Sequence, residues 1–419
     1  MKDYMKKYTN LFDNLILIFC IALLIRLIYA ATLNPYHGDS ADSEYYLQVG
    51  NNIAMGKGHY NQVTPTERNY ASKAPLYPVL IGVVIKIFGH NLFWLRLIQS
   101  IAGSITCILV VLIGRELFGA AVGRLAGVIF TFYPFAIYYC GYVGSESIFV
   151  VIFSCFIWML LRLGPGSRKY ESAICGFLLG LSTLTRPIPF YLPVFLLIGM
   201  LLQYEKKMIK SFAILILVMV MTLIPWWLRN LNATGHLVLT TTEAGYTFFA
   251  GNNIEVYEQP SLRGTYWLPE NERVDRAKVS EVEADRIYGK KGMSFVKQNP
   301  GKFLHLSLYK FIRFWRIYPQ AGFSPVISLR EQIISLFSYG VLLPFFVLGL
   351  VASFKFWKRF IYTYAIILYF CGLSMVLYGS TRLRFPISPL IIIFASSGVF
   401  TSLRARRAWQ SLCRGVVVK

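Results

Sequence analysis

The sequence LFDNLILIFCIALLIRLIYAATL (Leu11–Leu33) is closely followed by an acidic stretch, HGDSADSEYY (His37–Tyr46). The first stretch is long and apolar enough to cross a membrane as a helix. Because Lys2, Lys6 and Lys7 precede it, we expect the N-terminus to be cytoplasmic and the acidic stretch to lie outside. No small-residue cleavage site follows the helix, which we therefore interpret as an anchor.

The composition of the whole chain is that of a multi-pass membrane protein. Of its 419 residues, 56% are hydrophobic, and long apolar runs recur along most of the sequence. The net charge of +22 arises from basic clusters between these runs, which is typical of cytoplasmic loops and does not indicate nucleic-acid binding. The seven cysteines lie mostly in apolar segments without paired spacing, so we interpret them as packing residues.

The apolar runs and the basic loops predict an all-α polytopic fold with about ten transmembrane helices and both termini in the cytoplasm. A sixth span lies between Pro187 and Glu205. The other predicted spans are, approximately, Leu11–Leu33, Phe93–Ile113, Leu125–Tyr139, Ser147–Leu161, Ala173–Thr185, Ile209–Ile224, Ile333–Ala352, Ile361–Tyr378 and Pro386–Phe400.

The same pattern divides the chain into three parts. Two short apolar pieces, 43–55 and 74–88, are predicted to be interfacial helices, because counting the second as a span would place the following basic residues outside. Residues 235–250 alternate polar and apolar residues as a strand does, and 303–318 form a basic, aromatic interfacial helix. The parts are 1–229 (seven helices, with a first outer loop 34–92 and a second outer loop 140–147), 230–331 (a large, mixed outer loop) and 332–419 (the last helices and a basic tail).

Several basic residues fall on the predicted outer side, against the usual charge bias. Such residues suggest an anionic ligand, most plausibly a lipid phosphate. The alternative is that they anchor helix ends by snorkelling. Both explanations stay open for Arg313 and Arg316, whereas phosphate is favoured for Lys73, Arg382 and Arg384. The full set is Lys73, Arg186, Arg229, Arg313, Arg316, Arg382 and Arg384.

Acidic residues fall on the same face, with Asp42 in the first outer loop and Glu146 in the second. Group transfer from a phosphoester needs a base that takes a proton from the attacking hydroxyl and cations that stabilise the departing phosphate. The structural alternatives are that Asp42 caps a helix beginning near Ser43 and that Glu146 sits in the first turn of the following helix. Glu44 points to another face, and Asp39 completes the acidic stretch.

These residues occur in a series of short motifs. In order they are Asp42-Ser-Glu-Tyr-Tyr46, Gly56-Lys-Gly58, Lys73-Ala-Pro-Leu-Tyr-Pro78, Tyr133-Pro134, Gly144-Ser-Glu146, Leu184-Thr-Arg-Pro187, Pro225-Trp-Trp-Leu-Arg-Asn230, Gly251-Asn-Asn253 and Arg382-Leu-Arg-Phe-Pro386. By these motifs and their spacing, the chain resembles the GT-C superfamily of integral-membrane glycosyltransferases. The resemblance is to the branch of protein O-mannosyltransferases, the lipid A aminoarabinose transferase and their bacterial relatives.

The resemblance implies a seven-helix catalytic module, a sugar donor linked to polyprenyl or dolichyl phosphate, and transfer with inversion. Asp42 matches the catalytic carboxylate of the family. Glu146 matches its second-loop acidic residue, which is Asp in many relatives, and we expect it to be the second catalytic residue, placing acceptor or sugar hydroxyls. Lys73 matches a lysine that contacts lipid phosphate. Arg186, Arg382 and Arg384 lie in recurring motifs, and their charge predicts donor binding.

Further residues in these motifs are secondary candidates. Glu44, Tyr46 and Arg229 belong to this group, and Asn252 and Asn253 either border the acceptor cleft or form a plain turn. The oligosaccharyltransferase branch uses a divalent cation, but no second acidic residue adjoins Glu146 in this sequence. We therefore expect no obligatory metal, with a divalent cation as the open alternative.

The sequence thus predicts a hexosyl- or pentosyltransferase in the cytoplasmic membrane with its active site on the outer face. Its donor is a polyprenyl-phosphate sugar, and its acceptor is a protein, a lipid or a glycan. One alternative is a transporter or flippase of lipid-linked saccharides, although such proteins usually contain repeated halves, which this sequence lacks. A polymerase or ligase of lipid-linked glycans is the other.

Overall fold

A computed structural model describes residues 2–38, 40–64, 67–164, 166–203, 208–318 and 328–416. Asp39 lies outside these residues. The first part of the chain contains α1 (Lys2–Ala31), α2 (Ala41–Ala54), α3 (Leu76–Phe88), α4 (Leu92–Phe118), α5 (Ala120–Thr131), α6 (Pro134–Gly141), α7 (Glu146–Arg162), α8 (Lys169–Thr185), α9 (Leu192–Leu202) and α10 (Ile209–Thr234). A 3-10 turn, Ile188–Tyr191, precedes α9.

The second part is also helical. It contains α11 (Ala244–Gly251), α12 (Ile254–Glu258), α13 (Glu281–Gln298), α14 (Pro300–Trp315), α15 (Leu329–Ser335), α16 (Val341–Phe354), α17 (Trp357–Val376), α18 (Thr381–Arg384) and α19 (Ser388–Val416). Short 3-10 turns occupy Glu270–Glu272 and Phe385–Ile387, and a π-helical turn, Leu336–Gly340, joins α15 to α16.

The described part of the chain has a single β-hairpin, in the first outer loop. Its strands are β1 (Asn61–Gln62) and β2 (Arg68–Asn69), which pair antiparallel with Asn61 opposite Asn69. The prediction of an all-α protein is therefore confirmed.

The strand-like pattern at 235–250 was a wrong prediction. No strand is described there, and its second half forms α11. The backbone N–H groups of Gly245 and Tyr246 donate to Asp285 Oδ1, at 2.8 and 3.1 Å, which satisfies donors that a helix leaves unpaired at its start. A strand needs backbone hydrogen bonds to a neighbouring strand. Residues 235–243 have only one described backbone hydrogen bond to a distant segment, from Thr242 N to Ala71 O. The predicted helix at 303–318 corresponds to α14, and its place along the membrane stays a prediction.

The described helices include five that are long and apolar enough to cross a membrane, or six if the bent pair α5 and α6 forms one span. The five are Leu92–Phe118, Ile209–Thr234, Leu329–Phe354, Trp357–Val376 and Thr381–Leu403. Shorter apolar helices are Leu15–Ala31, Leu76–Phe88 and Ile188–Leu202. A helix lies at each predicted span, but the count of ten and the orientation of the termini stay predictions.

Close backbone approach brings the last helices together. A Cβ atom on Gly349 of α16 would lie 2.0 Å from the carbonyl oxygen of Phe394, and one on Gly398 of α19 would lie 2.0 Å from that of Phe345. Small residues allow membrane helices to pack at such short separation. This packing places α18, which begins the same bent helical unit as α19, against the rest of the bundle.

Candidate active site

The start of α2 fixes the position of Asp42. Ser40 caps this helix, since its Oγ accepts a hydrogen bond from Ser43 N at 3.2 Å. Ser40 Oγ also shares a hydrogen bond of 2.7 Å with the hydroxyl of Tyr142, and Ser43 Oγ donates to Val143 O. The cap is therefore Ser40 and not Asp42, and it ties the first outer loop to the second. The Asp42 side chain remains 32% exposed.

Lys73 lies beside Asp42. Its Nζ is 3.6 Å from Asp42 Oδ1 and donates a hydrogen bond to Glu243 Oε2 at 2.8 Å. The neighbouring Ser72 is hydrogen-bonded to the hydroxyl of Tyr45, on α2. Lys73 thus joins the first outer loop to the start of α11.

Arg382, on α18, bridges the two predicted carboxylates. Its Nη1 donates to Asp42 Oδ2 at 2.6 Å, and its Nε donates to Glu146 Oε1. Arg186, at the end of α8, donates to the same Glu146 oxygen at 2.5 Å. Four segments that are far apart in sequence therefore meet in one network of charges.

The backbone around α18 holds Arg382 in place. Gly379 N donates to Gly264 O at 2.8 Å, and a Cβ atom on Gly379 would lie 2.7 Å from Lys310 O. The Nζ of Lys310 donates to Asn252 Oδ1 and to Val376 O, at 2.7 and 3.2 Å. The large outer loop thereby fixes the segment that leads from α17 to α18.

A cavity of about 580 Å³ opens beside these charges. Asp42, Lys73, Arg186 and Arg382 lie on its wall, and Glu243 lies with them. The rest of the lining includes Tyr46, Ile188, Tyr191, Tyr266, Arg313, Arg316, Tyr318, Tyr369, Leu373, Leu377 and Tyr378. The cavity therefore combines a charged wall with an apolar and aromatic wall.

The neighbouring charges set the protonation states of Asp42 and Lys73 on this wall. Burial alone would raise the pKa of Asp42, but Lys73 and Arg382 beside it lower that pKa to about 2. Burial would lower the pKa of Lys73, but the carboxylates of Glu243 and Asp42 hold it well above its usual range. At neutral pH, Asp42 is therefore ionised and Lys73 is protonated.

Glu146 lies behind the cavity wall. Its side chain is 1% exposed and it is the first residue of α7, so it does occupy the first turn of that helix. It is absent from the described lining, which it reaches only through Arg186 and Arg382.

Five other predicted residues do not reach this cavity in the described structure. Arg384 is buried and donates to the carbonyl oxygens of Phe314 and Arg316, with its guanidinium 3.5 Å from the centre of the Tyr339 ring. There it satisfies the hydrogen-bonding needs of two backbone carbonyl groups. No described contact supports the prediction that it binds the donor.

Arg229 and the asparagine pair also make internal contacts. Arg229 donates to Tyr70 O at 2.5 Å and to His59 O, which braces the first outer loop. Asn253 caps α12, and Asn252 donates to Val376 O at 2.9 Å, so the plain structural interpretation of this pair fits the geometry. Glu44 is exposed on α2, whereas Asp42 is half-buried.

Glu243 was not predicted. It is one of many acidic residues in a long outer loop without a motif, and only the need of Lys73 for a counter-charge could have indicated it. Of the tyrosines in the lining, Tyr46 was predicted, whereas Tyr266 and Tyr378 were missed because neither belongs to a motif.

No group of three or more potential metal ligands (His, Cys, Asp or Glu) is close enough within the described ranges to hold an ion. Asp42 and Glu146 are instead bridged by Arg382. The expectation of no obligatory metal stays a prediction.

Residues 72–228 match the family model "Dolichyl-phosphate-mannose-protein mannosyltransferase". This range includes Lys73, Glu146 and Arg186. The apo oligosaccharyltransferase of Archaeoglobus fulgidus aligns with 99% of this chain at a TM-score of 0.61 and 13% identity. The chain shares the fold of this oligosaccharyltransferase.

A second archaeal structure, "AglB from Archaeoglobus fulgidus in complex with an inhibitory peptide and a dolichol-phosphate", aligns with 98% of this chain at a TM-score of 0.58 and 14% identity. The chain spans about half of each of these two proteins, 52% in both structures. ArnT from Cupriavidus metallidurans bound to undecaprenyl phosphate aligns with 92% of this chain and 77% of its own, at a TM-score of 0.44 and 13% identity. No curated protein sequence matches the chain. With its apolar helices, the chain is a multi-pass membrane protein.

Proposed function

We propose that this protein is an inverting glycosyltransferase that moves a sugar from a polyprenyl-phosphate donor to an acceptor at the outer membrane face. One observation carries the proposal: a carboxylate, Asp42, and three cations, Lys73, Arg186 and Arg382, share the wall of one cavity. A base next to an anion-binding cluster is the arrangement that sugar transfer from a phosphoester requires. The acceptor is a protein, a lipid or a glycan.

In the proposed reaction, a nucleophilic oxygen of the acceptor attacks the anomeric carbon of the donor. The bond from that carbon to the phosphate oxygen breaks on the opposite side, so the configuration inverts. Asp42 takes the proton of the attacking group, and the phosphate leaves with the electron pair of the broken bond. Lys73, Arg186 and Arg382 stabilise the negative charge that develops on the phosphate.

The donor also makes Asp42 a better base. In the empty site, Lys73 and Arg382 hold its pKa at about 2, which is far below the pKa of an efficient base near neutral pH. A phosphate group bound to Lys73 and Arg382 shares their positive charge and so weakens their pull on Asp42. Proton abstraction is then favoured only when the donor is in place.

We propose a role for Glu146 that differs from the predicted one. Because it is buried behind Arg186 and Arg382 and is absent from the described lining, we assign it to positioning these arginines. Direct contact with acceptor or sugar hydroxyls is not part of the proposal.

The apolar wall of the cavity suits the lipid part of the donor. Ile188, Tyr191, Leu373 and Leu377 line it, and Tyr191 is 64% exposed. These residues belong to the ends of helices that the sequence predicts to span the membrane. A prenyl chain lying here would keep its apolar surface out of water while its phosphate reaches the cations.

The test is transfer by the full chain reconstituted in liposomes with polyprenyl-phosphate sugars. Asp42→Asn is expected to lower kcat by about a hundred- to ten-thousand-fold while donor binding is retained. Glu44→Gln, two residues along the same helix but exposed, is the matched control and should leave kcat unchanged. Normal turnover by Asp42→Asn would remove the base assignment, and retention of configuration in the product would exclude direct displacement.

A further inference from the structure

Glu243 presents a carboxylate to Lys73 from a different part of the chain. Its Oε2 lies 2.8 Å from Lys73 Nζ, closer than the 3.6 Å that separates this nitrogen from Asp42 Oδ1. Glu243 lines the cavity, and 33% of its side chain is exposed there. The nitrogen that is proposed to bind the donor phosphate is thus held by an oxygen anion at hydrogen-bond distance.

A buried carboxylate, Glu281, fixes this contact. It accepts hydrogen bonds from Tyr70 N and Ala71 N at 2.8 and 3.2 Å, next to Lys73, and from Thr242 Oγ1 at 2.7 Å, next to Glu243. Thr242 N also donates to Ala71 O at 2.9 Å. The contact between Lys73 and Glu243 therefore follows from the register of two backbone segments and not from two mobile side chains.

The six residues that form ion pairs at the site balance one another when it is empty, and Arg313 and Arg316 line the cavity outside this cluster. Three carboxylates face three cations, so a phosphodiester would add a negative charge to a neutral cluster. Glu146 is buried between two arginines, and Asp42 is needed as the base. Glu243 is partly exposed and is paired with Lys73. Of the three carboxylates, it can therefore be displaced with the smallest loss of stabilising contacts. The six residues are Asp42, Glu146, Glu243, Lys73, Arg186 and Arg382.

We propose that Glu243 occupies the phosphate position on Lys73 in the empty enzyme and is displaced when the donor binds. This inference rests on the proposed function, because it takes the donor phosphate to be the ligand of Lys73. Glu243 would set the affinity for the lipid donor by competing with it, and the competition would end whenever the carboxylate is neutral.

Protonation of Glu243 therefore favours donor binding. Burial raises the pKa of Glu243, while Lys73 opposes the rise. As the pH falls through this raised pKa, the carboxyl group becomes neutral and the phosphodiester should bind more tightly. Asp42, with its pKa of about 2, stays charged in this range. The ionisable groups facing Glu243 are Lys73, Asp42, Asp285, Tyr45 and Tyr266.

The experiment measures binding of undecaprenyl methyl phosphate, a phosphodiester whose single negative charge does not titrate, to the full chain in lipid nanodiscs. Glu243→Gln should bind this probe about tenfold more tightly than wild type near pH 8, a difference of about 1.4 kcal/mol. Its affinity should also change less with pH. The matched control is Glu283→Gln, an exposed residue near the start of α13, which should bind as wild type does.

Unchanged or weaker binding by Glu243→Gln would overturn the inference. If this variant does not fold, the wild type decides: an affinity that stays constant from about pH 4 to about pH 8 overturns it, since a competing carboxylate must titrate. Turnover by the wild type with no effect of Glu243→Gln would refute this inference alone. Tighter binding by Glu243→Gln without any sugar transfer would refute the proposed reaction alone.

Discussion

The bridge made by Arg382 can be measured with a double-mutant cycle. Arg382 donates to Asp42 Oδ2 at 2.6 Å and to Glu146 Oε1, and Glu146 is 1% exposed. Hydrogen bonds to charged groups contribute about 1.5–3 kcal/mol each, and the 30% exposure of Arg382 favours the lower part of that range. We expect Arg382→Gln to lower the free energy of unfolding by about 3 kcal/mol.

Glu146→Gln should lower the same free energy by about 2 kcal/mol, because it leaves two guanidinium groups facing a neutral amide. The two changes remove one shared interaction. The double variant should therefore be more stable than the sum of the single effects predicts, by about 1.5–3 kcal/mol. The assay is denaturant-induced unfolding of the four purified proteins, and the coupling energy is the difference between the observed and summed losses.

Arg384 provides the matched control for this cycle. It lies on the same short helix and carries the same charge, but it donates to the carbonyl oxygens of Phe314 and Arg316. Arg384→Gln should destabilise the protein and yet add to Glu146→Gln within about 0.5 kcal/mol. If the effects in the Arg382 cycle were also additive, the bridge between the two loops would make no contribution to the free energy of unfolding.

Three further predictions concern the support of the site. Gly379→Ala, whose added methyl would lie 2.7 Å from Lys310 O, should displace the start of α18 and lower kcat roughly a hundredfold, whereas Gly372→Ala, which meets nothing within 4 Å, should not. Glu281→Gln should lower stability in thermal unfolding by about 2–3 kcal/mol, and the exposed control Glu283→Gln should have little effect. Burial lowers the pKa of Lys310 from 10.5 to about 7, so the folded chain loses this proton at a lower pH than the unfolded chain does. The Tm of wild type should therefore rise with pH above 7, and the Tm of Lys310→Met should rise less.

The sequence predicted the helices well because hydropathy and charge bias are local properties. Leu92–Phe118 and Ile209–Thr234, for example, carry enough apolar residues to identify a helix without any knowledge of its neighbours. The alternation at 235–250 misled for the opposite reason. It is a local pattern whose outcome depends on whether a partner strand is near, and none is described there.

The site shows the same division. Charge on the unexpected face indicated Lys73 and Arg382, and the structure places both against Asp42. The same argument could not distinguish the role of Arg382 from that of Arg384. The two arginines lie on one helical turn and carry the same charge, but they contact different neighbours. The charge argument could not indicate Glu243, because the contact of Glu243 with Lys73 depends on the register of two backbone segments. A buried residue elsewhere in the chain sets that register.

The charged network joins residue 42 to residue 382, so its members are synthesised at nearly opposite ends of the chain. A polypeptide still emerging from the ribosome would contain Asp42 and Lys73 long before Arg382 is synthesised. Until then Glu146 has only one of its two arginine partners. On the proposed function, an unfinished chain therefore lacks one of the cations that bind the donor, and the site forms only once the helix that begins with α18 has been made.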